Sequence, residues 1–228
     1  SAASDVYKRQ VIERCDLTSS VGSGMYVVGA ESDPMVRECT FADGKSAGIF
    51  VLENGRGTFE GCTVTGNAKT GIEVKGGGDP EVRACTIADG KAHGIFVYEN
   101  GRGTFEGCTV TGNAYSGIAV KTGGDPVVRA CTVADGKQGG IYVLENGRGT
   151  YEGCTVTGNA LAGIEVKQGG DPVVRECKVA RNKYGVVVWA DGRGTMSGCT
   201  LSGNVPGEWW VEAGAGGVRR GNTPEASR

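Results

Sequence analysis

Histidine is almost absent from this chain: His93 is the only one in 228 residues. A general base needs a matched partner, and nothing near His93 supplies one. No Cys-x-x-Cys or Cys-x-Cys spacing occurs among the nine cysteines, which removes the converging pairs that zinc sites use. No apolar run approaches the ~18 residues of a membrane span, and no charged-then-apolar leader opens the sequence. An excess of either charge is missing too. With 24 Lys and Arg against 26 Asp and Glu, the formal charge is -2, so no basic surplus is left to hold a phosphate backbone, which excludes nucleic acid as a partner.

What is abundant is glycine, 42 residues of it, beside 39% hydrophobic and 22% charged residues. That balance argues against disorder and for a fold with many tight turns. The first ten residues, SAASDVYKRQ, resemble in part the translation of a sequencing adapter and are expected to be non-native, so fold reasoning starts at residue 11.

The cysteines set the register of an internal repeat. They fall at 15, 39, 62, 85, 108, 131, 154, 177 and 199, with spacings of 24, then 23 six times, then 22. Two residues after each Cys runs an apolar column, from Phe41 and Val64 to Val179 and Leu201. Three residues before it runs a second, from Val36 and Phe59 to Val174 and Met196. A third segment reads Gly-Ile-x-Val, as at Gly48 to Val51 and Gly117 to Val120. Three short β-branched segments per coil, separated by Gly, Asn, Asp and Pro, predict three parallel sheets. At a strand spacing of about 4.8 Å, nine coils would make a rod of roughly 40 Å.

Two polar columns support the same stacking. Glu13, Arg37, Glu60, Arg83, Glu106, Arg129, Glu152 and Arg175 alternate in sign, as do Asp33, Arg56, Asp79, Arg102, Asp125, Arg148, Asp171 and Arg193. Like charges side by side destabilise a sheet, so alternation is what neighbouring strands require. It also makes the near-identical unit two coils long.

The segment from Gly117 through Asp125-Pro-Val-Val-Arg-Ala-Cys131-Thr-Val resembles the parallel β-helix repeats of the pectin lyase-like superfamily. The resemblance covers about residues 11 to 205 and extends to the right-handed β-helix repeats of bacterial proteins and of the eukaryotic F-box protein 11. It implies the fold and leaves the function open, because that superfamily holds lyases, hydrolases, epimerases and non-catalytic modules. The Gly-His-Gly and Arg-Ile-Lys segments of polygalacturonase-like hydrolases are missing here. Asp43, Asp89 and Asp135 recur only on every second coil, about 9.6 Å apart, which is wide for a retaining pair of carboxylates.

The expected fold is therefore all-β: a right-handed parallel β-helix, or β-solenoid, of about nine coils of ~23 residues with three parallel sheets, spanning 11–211. A Gly-rich tail over 212–228 is expected to be disordered, with Pro206, Trp209 and Trp210 covering the last coil. The cysteines are expected to point inward as a ladder of reduced thiols, with Glu38 and Glu176 at bends just before them; free thiols favour a reducing, cytoplasmic compartment. No catalytic residue, metal or cofactor is expected. Phe50, Leu52, Phe96, Tyr98, Tyr142 and Leu144 form outward apolar rows on alternate coils of the third sheet, a candidate surface for a protein partner or a fused domain. The leading functional expectation is a non-catalytic scaffold or interaction module within a longer chain. A carbohydrate-binding or carbohydrate-active module is the alternative, and end-to-end self-association a further one.

Overall fold

A computed structural model describes residues 10–223. The first nine residues, which include most of the expected adapter segment, lie outside the described residues, as do 224–228. The chain winds as a right-handed parallel β-solenoid with sheets of ten, nine and nine strands. Among the described residues there is no helix. One coil shows the plan: Thr58–Glu60 joins the first sheet, Thr63–Thr65 the second and Ile72–Val74 the third. Every strand pairs in parallel with its equivalent one coil away, as Val82 does with Phe59 and Phe105.

The middle residue of each three-residue strand in the first two sheets points inward, and both outer residues of the third-sheet strands do. This is period-2 alternation expressed in triplets. It stacks Phe59, Val64, Ile72 and Val74, all fully buried, into one continuous core. Outside, Arg37 lies between Glu13, at 3.4 Å, and Glu60, at 3.2 Å, so the alternating column is a set of cross-strand ion pairs.

Two of the three bends share one design. The residue before each cysteine is left-handed, at φ 51 for Glu38, 50 for Ala84 and 54 for Glu176, as expected for the two glutamates. The thiol then turns inward. Cys131 Sγ lies 3.3 Å from the Arg129 carbonyl and 3.5 Å from the Phe105 carbonyl, and accepts from the Cys108 backbone N–H at 3.3 Å. All nine cysteines are free, and eight are buried.

Five residues after the cysteine, at the second bend, a buried Asn repeats these contacts, on alternate coils at Asn67, Asn113 and Asn159 and then on consecutive coils at Asn182 and Asn204. Asn113 Nδ2 donates to the carbonyls of Thr111 and Ile87 at 3.0 and 3.2 Å, and its Oδ1 accepts from the Gly90 N–H at 3.0 Å. Asp43, Asp89 and Asp135 are the left-handed residues of this bend, at φ 53, 54 and 53, so their spacing follows from turn geometry.

Two features depart from the sequence reading. Trp209 and Trp210 do not lie across the end of the rod; they belong to the third-sheet strand Gly207–Val211, paired with Tyr184–Val188. The segment expected to be a disordered tail instead carries one more strand of the first sheet, Val218–Arg220, paired with Thr195–Ser197. There Asn222 takes the place a cysteine holds in earlier coils, accepting from the Cys199 N–H at 2.9 Å. Its carboxamide also donates to the Met196 carbonyl at 3.1 Å.

Candidate interaction face

The third sheet is the one that sets large apolar side chains outward in rows. Its strands are short, and among the described residues the turns between them are nearly uniform, with no long loop rising over the outer face. The structure places Phe50, Leu52, Phe96, Tyr98, Tyr142 and Leu144 on this face, each half-buried. Phe96 and Tyr98 stack with ring centroids 4.4 Å apart. Phe50 meets Tyr26 of the preceding coil at 5.7 Å. The row is broken at Ala119, which pairs with Phe96 on one side and Tyr142 on the other, so the six residues do not form one platform.

Coils of opposite character fill the gaps. Lys75 Nζ lies 6.0 Å from the Phe50 ring centre and 5.7 Å from that of Tyr98, and Lys167 Nζ lies 5.0 Å from Tyr142. These cation–π contacts place lysine stems beside the rings and shade part of the apolar surface. The carboxylates are engaged in holding aromatic groups. The Tyr98 hydroxyl donates to Glu73 at 2.7 Å, and the Trp189 indole N–H donates to Glu165 at 2.9 Å, each from the coil that follows. Burial, then the bond to Glu73, pushes the Tyr98 phenol well above its ordinary range.

His93 joins this face at its edge. Its ring lies 5.2 Å from Phe96 and 5.4 Å from Tyr115, and its Nδ1 is buried without a hydrogen-bond partner. Burial pulls its pKa down to about 4, Lys121 adding to the effect against a backbone hydrogen bond to Ser116. The imidazole is thus held neutral, packed between the Phe96 and Tyr115 rings. Among the described residues no three of His, Cys, Asp or Glu stand together so as to hold a metal ion.

A second aromatic group lies further along the same face. Trp189 and Trp210 meet edge to face at 4.7 Å, with Tyr184 and Leu161 beside them. The sequence reading missed this group, although the register holds the signal. Trp210 continues the column of Phe50 and Tyr142, and Trp189 that of Tyr98 and Leu144, once the coil that shortens to 22 residues is allowed for.

These features together define a right-handed parallel β-helix protein. The family model described as "Right handed beta helix region" matches residues 5–83 and 70–223, and the chain belongs to that family. Among solved structures it is similar to the A-module of mannuronan C-5 epimerase AlgE6 from Azotobacter vinelandii. That likeness has a TM-score of 0.71 at 16% identity and covers 94% of this chain and 64% of that one. It is similar as well to pectate lyase Pel9A, with a TM-score of 0.69 at 12% identity over 99% of this chain and 75% of that one. At such identities the likeness is one of fold, a fold shared with carbohydrate-active enzymes. Among curated proteins, F-box protein dre-1 of Caenorhabditis elegans is 39% identical over 62 residues, which is 27% of this chain and 7% of that protein.

Proposed function

We propose that this chain is a non-catalytic β-helix module that presents the outer face of its third sheet to a protein partner or a fused domain. The supporting observation is the engagement of the ionisable groups on that face. Glu73 and Glu165 hold aromatic side chains, Lys75 and Lys167 lie over rings, and Lys75 and Lys121 also pair with Glu99 and Glu145 at 3.6 and 3.4 Å. Groups so engaged position apolar surface and are poorly placed to move protons. The resemblance to a segment of an F-box protein supports a role as one part of a larger chain.

The epimerase and lyase named among the structural neighbours supply the rival, in which the same face would process a polysaccharide. Two measurements separate the readings. A photo-crosslinking residue at Phe96 is expected to give a discrete adduct in the native host, whereas one at Thr109 on the second sheet gives none. The purified chain is expected to leave polymannuronate and polygalacturonate unchanged. Turnover of either polymer, or adducts that do not depend on the face, would refute the proposal.

A further inference from the structure

The group around Trp189 and Trp210 is more than a continuation of the row. It lines a depression of about 450 Å³ whose walls include Leu161, Glu165, Lys183, Tyr184, Trp189 and Trp210, a volume within the range of small-molecule sites. Trp189 and Trp210 keep 38% and 37% of their surface exposed, so indole is available to a guest. The lining is mostly apolar, with one carboxylate and one ammonium as its charged groups.

We infer that this depression binds a neutral hexopyranose unit of a glycan. The C–H face of a pyranose ring matches an exposed indole, and its hydroxyls can both donate and accept, which suits Glu165 and Lys183 together. Other guests fit the same groups less well. The Trp189 N–H is already given to Glu165 at 2.9 Å, so it is not free to bond the carbonyl of a docking polyproline-type peptide. A cationic guest meets Lys183, with Lys167 4.0 Å from Glu165 as a second positive charge. A uronate carboxylate would pair with Lys183 but be repelled by Glu165, whereas an uncharged ring is repelled by neither. The site lies on the same third-sheet face but shares no residue with the row from Phe50 to Leu144, so crosslinking at Phe96 and sugar binding at the Trp pair can each fail without the other.

The chain's three tryptophans are Trp189, Trp209 and Trp210, which makes indole fluorescence a local readout. Neutral gluco- and manno-oligosaccharides, an oligomannuronate and a proline-rich peptide are each titrated into the full chain by fluorescence and calorimetry. Saturable binding of a neutral sugar is expected, weakened at least about tenfold in Trp210→Ala and in Trp189→Ala. Phe50→Ala is expected to bind as the parent does, and circular dichroism confirms that each variant keeps its strands. No saturation by any neutral sugar at about 10 mM overturns the inference. So does affinity unchanged by both Trp substitutions, or tighter binding of the uronate or the peptide.

Discussion

Tyr151 occupies, two coils further on, the place that Phe105 holds in the first sheet; both pair with Val128 and both are fully buried. The difference is one hydroxyl, and it has no hydrogen-bond partner. A buried polar group without a partner costs about 1–3 kcal/mol, because water is lost and nothing replaces it. Tyr151→Phe is therefore expected to stabilise the chain by about 1 kcal/mol or more. The check is the urea midpoint at constant m-value, and an equal or lower midpoint sinks the argument.

The cysteine column makes a second prediction, because Asn222 shows what a carboxamide does at the same position. Cys131 and Asn222 each approach the carbonyl 26 residues back and accept the N–H of the cysteine one coil earlier. The thiol is thus a compact hydrogen-bonding group at a bend as well as an apolar filler. Cys131→Asn is expected to cost less than about 1 kcal/mol, and Cys131→Val, which leaves the Cys108 N–H without an acceptor while the Arg129 carbonyl keeps the Gly107 N–H, about 1–3 kcal/mol. Thermal melting of the two variants ranks them. The reverse order would show that apolar packing alone holds the column.

His93 sets a pH dependence. Its folded-state pKa of about 4 lies below the ordinary histidine value, so the folded chain favours the neutral ring. Stability from this group is complete above about pH 6.5 and falls as pH drops towards 4, because only the unfolded chain takes up the proton in that window. The loss approaches about 3 kcal/mol and flattens below pH 4. His93→Phe keeps a ring in the cluster and is expected to remove this slope between pH 6.5 and 4. Parallel profiles for variant and parent would show that the imidazole titrates freely.

The fold was legible because stacking puts the same column at the same place every 23 residues. The pairing of Val36 with Phe59 and of Arg37 with Glu60 could be read from position alone. So could the bends at Glu38 and Glu176, where an inward cysteine demanded a turn. What stayed hidden was hydrogen bonding across coils. Nothing in the spacing says that Asn113 reaches the Ile87 carbonyl, or that Cys131 reaches that of Phe105. The Trp189 and Trp210 group was obscured for a different reason: the coil before it shortens to 22 residues, which shifts both side chains out of a fixed 23-residue count. Val218–Arg220 escaped because its core column carries Arg219, half-buried and paired in register with Met196, where an apolar residue was expected.

Glycine marks two kinds of position, one before the third-sheet strands and one, in some coils only, before the cysteine, and substitution should tell them apart. Gly140 precedes a third-sheet strand, where a Cβ would lie 2.4 Å from Val156 Cγ1, 2.6 Å from the Gly163 carbonyl oxygen and 2.9 Å from Asn159 Nδ2. A backbone oxygen cannot step aside without disturbing the next coil. Gly153, before Cys154, is left-handed at φ 61, but a Cβ there meets nothing within 4 Å. Ala84 and Ala130 already hold the matching place in neighbouring coils at φ 50. Gly140→Ala is expected to lose about 2–3 kcal/mol by overpacking, and Gly153→Ala less than about 1 kcal/mol, the left-handed strain being one the fold tolerates elsewhere. Because each coil contacts only its neighbours, the Gly140 lesion should also open the structure locally. Amide exchange would then rise first in the coils around residues 117 to 163, and uniform exchange along the rod would instead mean that the solenoid unfolds as one unit.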